Sequence, residues 1–247
     1  MGKIMVKAIF VLIFLGTVNL FANQINQYKI WVIRHGQRDK ITAPAYDPPL
    51  TKLGVKQAEK AAIFLKKHNF NGKIYASPYR RTLETASIIA KHLNKKVYIA
   101  TFIQEFVRFP GVHPIKYRPL SLLQKEFPLI AKDAQLSPNW TIKTKETLDS
   151  VKKRYNLGIK NLNLEDNDEI LLVTHGAVLK AAHMDAINVD SNYKWSKTNW
   201  NCCISSYEFN NKSNCKVKLF FDVSFLLDEE ITNNDRYMVK TKKVNKF

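Results

Sequence analysis

From Tyr28 onward the chain alternates apolar runs of strand length with longer stretches whose apolar residues recur at helical spacing. Tyr28 to Ile33 is the first such run. Thr51 to Asn69 reads as a helix, with Ala58, Ala61, Ala62 and Leu65 on one face and Thr51 placed to cap it. Lys73 to Ala76 is a short strand. Ser77-Pro78 then reads as a cap and a first-turn proline that open a helix running to about Leu93. The next strand is Lys96 to Ala100. Between 102 and 143 the pattern breaks, with five prolines and a short helix near 120 to 127. A long helix restores it, with Leu148, Val151, Tyr155, Ile159 and Leu162 spaced 3, 4, 4 and 3 apart. Glu169 to Val173 is a buried strand and Gly176 to Ile187 a helix. Ile204 to Phe209 and Lys216 to Phe221 close the series. Alternation of this kind calls for a mostly parallel central sheet with helices on both faces, a three-layer α/β/α sandwich.

The first 22 residues stand outside that pattern. Lys3 and Lys7 precede an apolar run from Ala8 to Leu15 that weakens toward Ala22, the arrangement of a secretory signal. The run is shorter than the about 20 residues that span a bilayer. Sequence alone therefore divides the chain into a signal peptide (1–22), one domain (23–227) and a basic tail (228–247). The irregular insert 102–143 is expected to lie over the site. The mature chain is expected to be secreted or periplasmic, with no stable membrane anchor after cleavage. Overall usage, 45% hydrophobic and 24% charged, is that of an ordinary globular protein and excludes wholesale disorder and a polytopic membrane protein.

Of the three cysteines, Cys202 and Cys203 lie in an apolar run and Cys215 opens the next strand. A hairpin centred on 210–214 sets Cys215 opposite Phe209 rather than opposite either cysteine. Buried free thiols are the expectation.

The 39 Lys+Arg against 21 Asp+Glu give a net charge of +18. A nucleic-acid interface would need a basic stripe interleaved with aromatics or a docking motif, and neither is present, so no nucleic-acid partner is expected. Four arginines, Arg34, Arg38, Arg80 and Arg81, fall in two short segments. A basic protein suits an anionic substrate.

In parallel sheets, ligands bind beyond the carboxyl ends of the strands. Here the first strand ends in Arg34-His35-Gly36-Gln37-Arg38, the second in Ser77-Pro78-Tyr79-Arg80-Arg81, and the 169–173 strand in Thr174-His175-Gly176. One His-Gly pair carries little information; two, with a helix start carrying arginines, form a pocket of high positive potential. An imidazole can attack phosphorus with one ring nitrogen while the other is held by a hydrogen-bond acceptor. Guanidinium groups match the transferring phosphoryl oxygens in geometry and charge. These residues point to phosphoryl transfer through a phosphohistidine, with no metal and no cofactor. His175, His183 and Asp185 lack the spacing of a metal motif.

From about Lys29 to Ile187 the chain resembles the histidine phosphatase superfamily, the phosphoglycerate mutase-like proteins. Arg34-His35-Gly36 is similar to the family's nucleophile signature, and Pro49-Leu50-Thr51 with Gly54 and Gln57-Ala58 to its following segment. Ser77-Pro78 with Arg81 and Thr85-Ala86 resembles its arginine helix, and Thr174-His175-Gly176 its second histidine. The resemblance implies a phosphoglycerate mutase-like fold with His35 as nucleophile and Arg34, Arg38, Arg81 and His175 as phosphate ligands. It implies Glu105 as proton donor, with Glu126 and Asp47 as alternatives. His175-Gly176 sets the chain apart from the acid phosphatase and phytase branch. Gln37-Arg38-Asp39-Lys40 departs from the mutase pattern and speaks against mutase activity. Arg38 and Asp47-Pro48-Pro49-Leu50 look most like the Sts-type and ecdysteroid-phosphate phosphatases. The substrate expected is a phosphorylated small molecule or a phosphoprotein. A non-catalytic phosphate-binding role and a phosphotransferase or mutase are the competing expectations. Phe106, Phe109, Tyr117 and Trp140 are candidates for contact with a leaving group, and Arg108, Lys116 or Arg118 for a second anionic group.

Overall fold

The computed structural model describes residues 27–39, 47–108, 118–137, 140–188, 199–211 and 214–233. The signal segment, Phe109, Lys116, Tyr117 and the end of the tail lie outside the described residues. Six strands form one sheet: β1 (Tyr28–Arg34), β2 (Lys73–Ala76), β3 (Val97–Ile99), β4 (Glu169–Thr174), β5 (Ile204–Asn211) and β6 (Asn214–Asp222). Their order is β3-β2-β4-β1-β5-β6. The first four are parallel to one another, and the β5–β6 hairpin adds to β1 antiparallel. In that hairpin Cys215 pairs with Phe209.

Side chains of a strand point alternately to opposite faces, and β1 shows how this divides the core in two. Trp31 and Ile33 pack with Leu171 and Val173 of β4 under two helices, α1 (Lys52–Lys67) and α2 (Arg80–Leu93). Ile30 and Val32 face the other way with Ile170 and Leu172, under α4 (Leu148–Asn161) and α5 (Gly176–Ala186). Both faces of the central strands are buried, which is why these runs read as continuously apolar. Thr51 caps α1, its hydroxyl accepting from Gly54 N at 3.0 Å. Among the described residues, no helix is long and apolar enough to cross a membrane.

Two expectations need correction. The second helix does not start at Ser77-Pro78. It starts at Arg80, its N-cap Tyr79 makes no side-chain cap, and Asp47 Oδ1 accepts from Arg80 N at 2.7 Å instead. A carboxylate is a better cap than a serine at this end because it also meets the positive pole of the helix. The 102–143 insert does not lie over the site as a whole. Its helix α3 (Leu120–Glu126) and the residues to Ala134 bury Leu123, Phe127, Ile130 and Ala131 against the α1–α2 side of the core. Ile130 forms a parallel bridge to Val97, with Val97 N donating to Leu129 O at 2.9 Å and Ala131 N to Val97 O at 2.9 Å. This segment covers the open edge of β3, where unpaired backbone would otherwise invite another strand.

At the other extreme, residues 228–233 pack into the domain. The Glu230 side chain is only 2% exposed and binds Lys56 at 2.9 Å and Lys60 at 2.6 Å. Asn201 N donates to Thr232 O at 2.8 Å.

Candidate active site

β1 and β4 are neighbours, and their register pairs Arg34 with Thr174. The next residue on each strand is a histidine. His35 N donates to Thr174 O at 2.9 Å, and the rings of His35 and His175 lie 5.4 Å apart, edge to face. The two His-Gly pairs, 140 residues apart in sequence, thus meet because one register is kept across a parallel pair. Gly36 is required where β1 turns away: a Cβ there would stand 2.5 Å from Gly54 O, at the start of α1.

The His35 ring is held by its Nδ1, 2.7 Å from Gly36 O. A carbonyl can only accept, so Nδ1 carries the proton and Nε2 presents a lone pair. Arg81 Nε donates to that Nε2 at 3.3 Å. Burial, with the charges of Arg81 and Arg34, holds the His35 pKa well below its usual value. The ring is neutral at neutral pH.

Arg81 lies on the first turn of α2, 1% exposed. Its Nη2 donates to Glu105 Oε2 at 3.1 Å and lies 3.2 Å from His175 Nδ1. Its Nη1 faces Asp47 Oδ1 at 3.8 Å. Arg34, 2% exposed, is held from behind: Nη1 donates to Asn199 O and, at 3.2 Å, to Asn233 Oδ1. Its Nε has no hydrogen-bond partner among the described residues. Burial lowers the Arg34 pKa to about 10, with nearby Arg38 and Arg81 adding to the shift. Arg38, bridged through its backbone to Leu50, is half-buried, and desolvation and Arg81 depress it likewise. The three guanidinium groups thus act on one another through their charge, and an anion among them would relieve that repulsion.

Glu105 follows the 3-10 turn Thr101–Ile103 beyond β3, and its side chain is 33% exposed. Burial alone would raise its pKa, but His175 and Arg81 outweigh that and hold the carboxyl well below its usual range. His175 is fully buried, and desolvation brings its pKa down to about 4. Its Nδ1 lies 3.3 Å from Glu105 Oε2, and its Nε2 2.9 Å from Ser77 Oγ.

Of the six residues singled out from the sequence, His35, Arg81, Glu105 and His175 contact one another, and Arg34 and Arg38 lie near enough to act on them through their charge. Of the two alternative acids, Asp47 reaches this group only through Arg81, and Glu126 pairs outside it. Glu126 pairs with Arg118 at 2.6 Å and faces Arg80 at 3.7 Å. Asp47 caps α2 and stands between Arg81 and Arg118, the latter at 3.6 Å, with burial raising its pKa. Trp140 and Tyr79 are buried beside the site, their rings 5.8 Å apart, with Tyr79 edge-on to His175 at 4.9 Å.

Several supporting residues gave no signal of their own. Thr85 Oγ1 accepts from Gly36 N at 3.1 Å. Asn201 Nδ2 donates to His35 O at 3.2 Å. Gln57 Oε1 accepts from Gln37 N at 2.8 Å while its Nε2 donates to Glu230 O at 2.6 Å and Thr232 Oγ1 at 3.0 Å. Gln57 and Thr85 fall within family-like segments; Asn201, Thr232 and Asn233 do not.

His35, Glu105 and His175 also offer donor atoms within 4.8 Å of one another, close enough for a metal ion. The Arg81 guanidinium stands 3.1–3.3 Å from all three, so a cation would meet a fixed positive charge. The arrangement suits an anion with several oxygens.

Comparison with known proteins gives the family. Residues 30–222 match the model of the histidine phosphatase superfamily (branch 1). The chain is 33% identical over 209 residues to the transcription factor tau 55 kDa subunit of Saccharomyces cerevisiae, covering 74% of this chain but 48% of that subunit, about half its length. It is also 33% identical over 165 residues to an uncharacterized phosphoglycerate mutase family protein of Acanthamoeba polyphaga mimivirus, covering 62% of this chain and 76% of the relative. Among solved structures, the ecdysone phosphate phosphatase of Bombix mori, in complex with tungstate, superposes with a TM-score of 0.61 at 16% identity, over 89% of this chain and 97% of its own. The phosphoserine phosphatase of Entamoeba histolytica gives 0.56 at 21% identity, over 81% and 100%. These structures share the fold, and the match along residues 30–222 fixes the family: the chain belongs to the histidine phosphatase superfamily, branch 1.

Proposed function

We propose that the chain is a secreted or periplasmic, metal-independent phosphomonoesterase that works through a covalent phosphohistidine on His35. The observation that carries this reading is the state of the His35 ring, neutral, with Nδ1 committed to the Gly36 carbonyl and Nε2 turned to Arg81. The Nε2 lone pair attacks phosphorus, and the bond from phosphorus to the leaving oxygen breaks as Glu105 gives that oxygen a proton. Water then attacks phosphorus, the P–N bond breaks, Glu105 takes a proton from the water, and inorganic phosphate leaves. Arg34, Arg38, Arg81 and His175 bind the non-reacting oxygens and meet the charge that develops on them.

Glu105 is ionised before substrate arrives, so binding must supply the change. A phosphate group settling among the arginines takes up their charge and sets its own beside the carboxylate, which raises the proton affinity of Glu105 so that it takes a proton from water or from the monoanionic phosphoryl group. The substrate class is a phosphorylated small molecule or a phosphoprotein, with Tyr79 and Trp140 placed beside its leaving group. Export is supported by Lys3, Lys7 and the apolar run Ala8 to Leu15.

The likeness to a transcription factor subunit favours a second reading, a non-catalytic phosphate-binding part of a larger assembly. The complete set of nucleophile, arginines and acid favours catalysis. A phosphotransferase or mutase would use the same His35 and pass the phosphoryl group to an alcohol instead of water. Hydrolysis of p-nitrophenyl phosphate in EDTA is the test. Turnover that survives the chelator supports the monoesterase, turnover abolished by it overturns metal independence, and phosphate binding without turnover on any phosphomonoester supports the binding role.

A further inference from the structure

The two histidines of the site share their sequence context, yet their buried ring nitrogens meet opposite partners. His35 Nδ1 faces a carbonyl, Gly36 O, at 2.7 Å. His175 Nε2 faces a hydroxyl, Ser77 Oγ, at 2.9 Å. A carbonyl only accepts, whereas a hydroxyl can donate or accept, so the His175 tautomer depends on where the Ser77 hydrogen goes. Ser77 is 0% exposed, and among the described residues its hydroxyl makes one hydrogen bond, the one to His175. Were Nε2–H to donate to Oγ, the hydroxyl hydrogen would be buried without an acceptor.

The other ring nitrogen leads to the same tautomer. His175 Nδ1 lies 3.3 Å from Glu105 Oε2. A proton on Nδ1 makes this contact a hydrogen bond; a lone pair there would face a carboxylate oxygen. Arg81 Nη2, 3.2 Å from Nδ1, does not need that nitrogen as an acceptor, because it donates to the same Glu105 Oε2 at 3.1 Å. Two donors then converge on one carboxylate oxygen.

Resting on the phosphatase reading, we infer that Ser77 is a positioning residue whose hydroxyl donates to His175 Nε2 and holds the ring as its neutral Nδ1–H tautomer. His175 is thereby a hydrogen-bond donor toward the phosphoryl position and not a base, while His35 is held in the opposite sense, with an Nε2 lone pair that accepts from Arg81 Nε at 3.3 Å. In the empty site Glu105 Oε2 takes the hydrogen bonds from Arg81 and His175 that a phosphoryl oxygen takes when substrate is bound. Its release from them couples substrate binding to the freeing of the acid.

The test is a nitrogen-15 spectrum of histidine-labelled full chain at neutral pH, with His175 assigned by comparison with His175→Gln. The expected result is a neutral His175 ring protonated at Nδ1, converted toward the Nε2–H form in Ser77→Ala and retained in Ser77→Thr. Ser77→Ala is also expected to weaken inhibition by inorganic phosphate and lower kcat/KM by about 10- to 100-fold, with Ser77→Thr recovering most of both. An Nε2–H ring in the wild type, or an unchanged tautomer in Ser77→Ala, overturns the inference. The spectrum needs no turnover. An Nδ1–H ring in a chain that hydrolyses nothing would therefore contradict the phosphatase reading and leave the role of Ser77 standing. Should Ser77→Ala fail to fold, the wild-type spectrum and Ser77→Thr still decide.

Discussion

Arg34 and Thr174 are register partners on adjacent parallel strands, and their pairing carries His35 and His175 to one point with ring centroids 5.4 Å apart. The site is therefore anchored in the middle of the sheet, and the loops around it add to a frame that is already rigid. Within that frame the arginines cannot be exchanged for any other cation.

Arg81 contacts His35 through Nε, and Glu105 and His175 through Nη2, two nitrogens of one planar group. A lysine has one ammonium and cannot reproduce that fork. Arg81→Lys should lower kcat/KM by about 10²- to 10³-fold, the usual cost of removing a donor from a developing anion. Steady-state kinetics on a phosphomonoester measure it, and a loss under fivefold would show that Arg81 is not the central ligand.

The pH profile follows from the depressed histidines. His35 lies well below its usual value and His175 at about 4. A lowered pKa extends the neutral form to more acid solution, so both rings stay neutral as pH falls through 6.5. The acid limb of kcat/KM, corrected for ionisation of the substrate, should lie clearly below pH 6.5. A limb centred on 6.5 would mean that the nucleophile has an ordinary, solvated imidazole.

The segment 228–233 should matter to the chemistry although it lies beyond the residues that match the family. Asn233 holds Arg34 by one hydrogen bond at 3.2 Å. Losing it should weaken phosphate inhibition by about fivefold, the worth of roughly 1 kcal/mol. Inhibition constants of Asn233→Ala check this; an unchanged constant would make the contact incidental.

Glu230 anchors the same segment, and the price of neutralising it should appear in acid. Burial works to raise its pKa, but hydrogen bonds from Lys56 and Lys60 prevail and bring it to about 2, below the usual 4.5. A group depressed on folding stabilises the fold above its unfolded value, and that contribution drains away as pH falls from about 4.5 toward 2. Glu230→Gln should lower Tm near neutrality and flatten its fall between those limits. Parallel Tm–pH curves for the two proteins would show that the lysine contacts carry no stability.

Much of this was legible in the sequence because it depends on local pattern. Alternating burial makes β1 and β4 continuous apolar runs, and the cap at Thr51 is written three residues before Gly54, whose N–H it accepts. The His-Gly pairs are legible because two of them end apolar strands, and Arg81 because it falls in a family-like segment. What stayed hidden depends on partners distant in the chain. Ser77-Pro78 reads as a helix start in any sequence; only its neighbour across the sheet, His175, shows that its hydroxyl is engaged elsewhere. Asp47 reads as a possible acid until Arg80 N is found beside it. Residues 120–134 have no strand pattern, since what they supply to β3 is backbone at a single bridge. Asn201, Thr232 and Asn233 are small polar residues in an asparagine-rich stretch, and polarity without periodicity predicts only a loop.

The phosphohistidine itself is the claim on which the rest depends. Acid-labile, alkali-stable phosphate on the protein, trapped by rapid quench with radiolabelled phosphomonoester in EDTA and located by peptide mapping, tests it directly. The mechanism predicts label on His35 that forms and decays within one turnover and is absent from His35→Ala. Turnover in His35→Ala at the wild-type rate, or label on another residue, would contradict it.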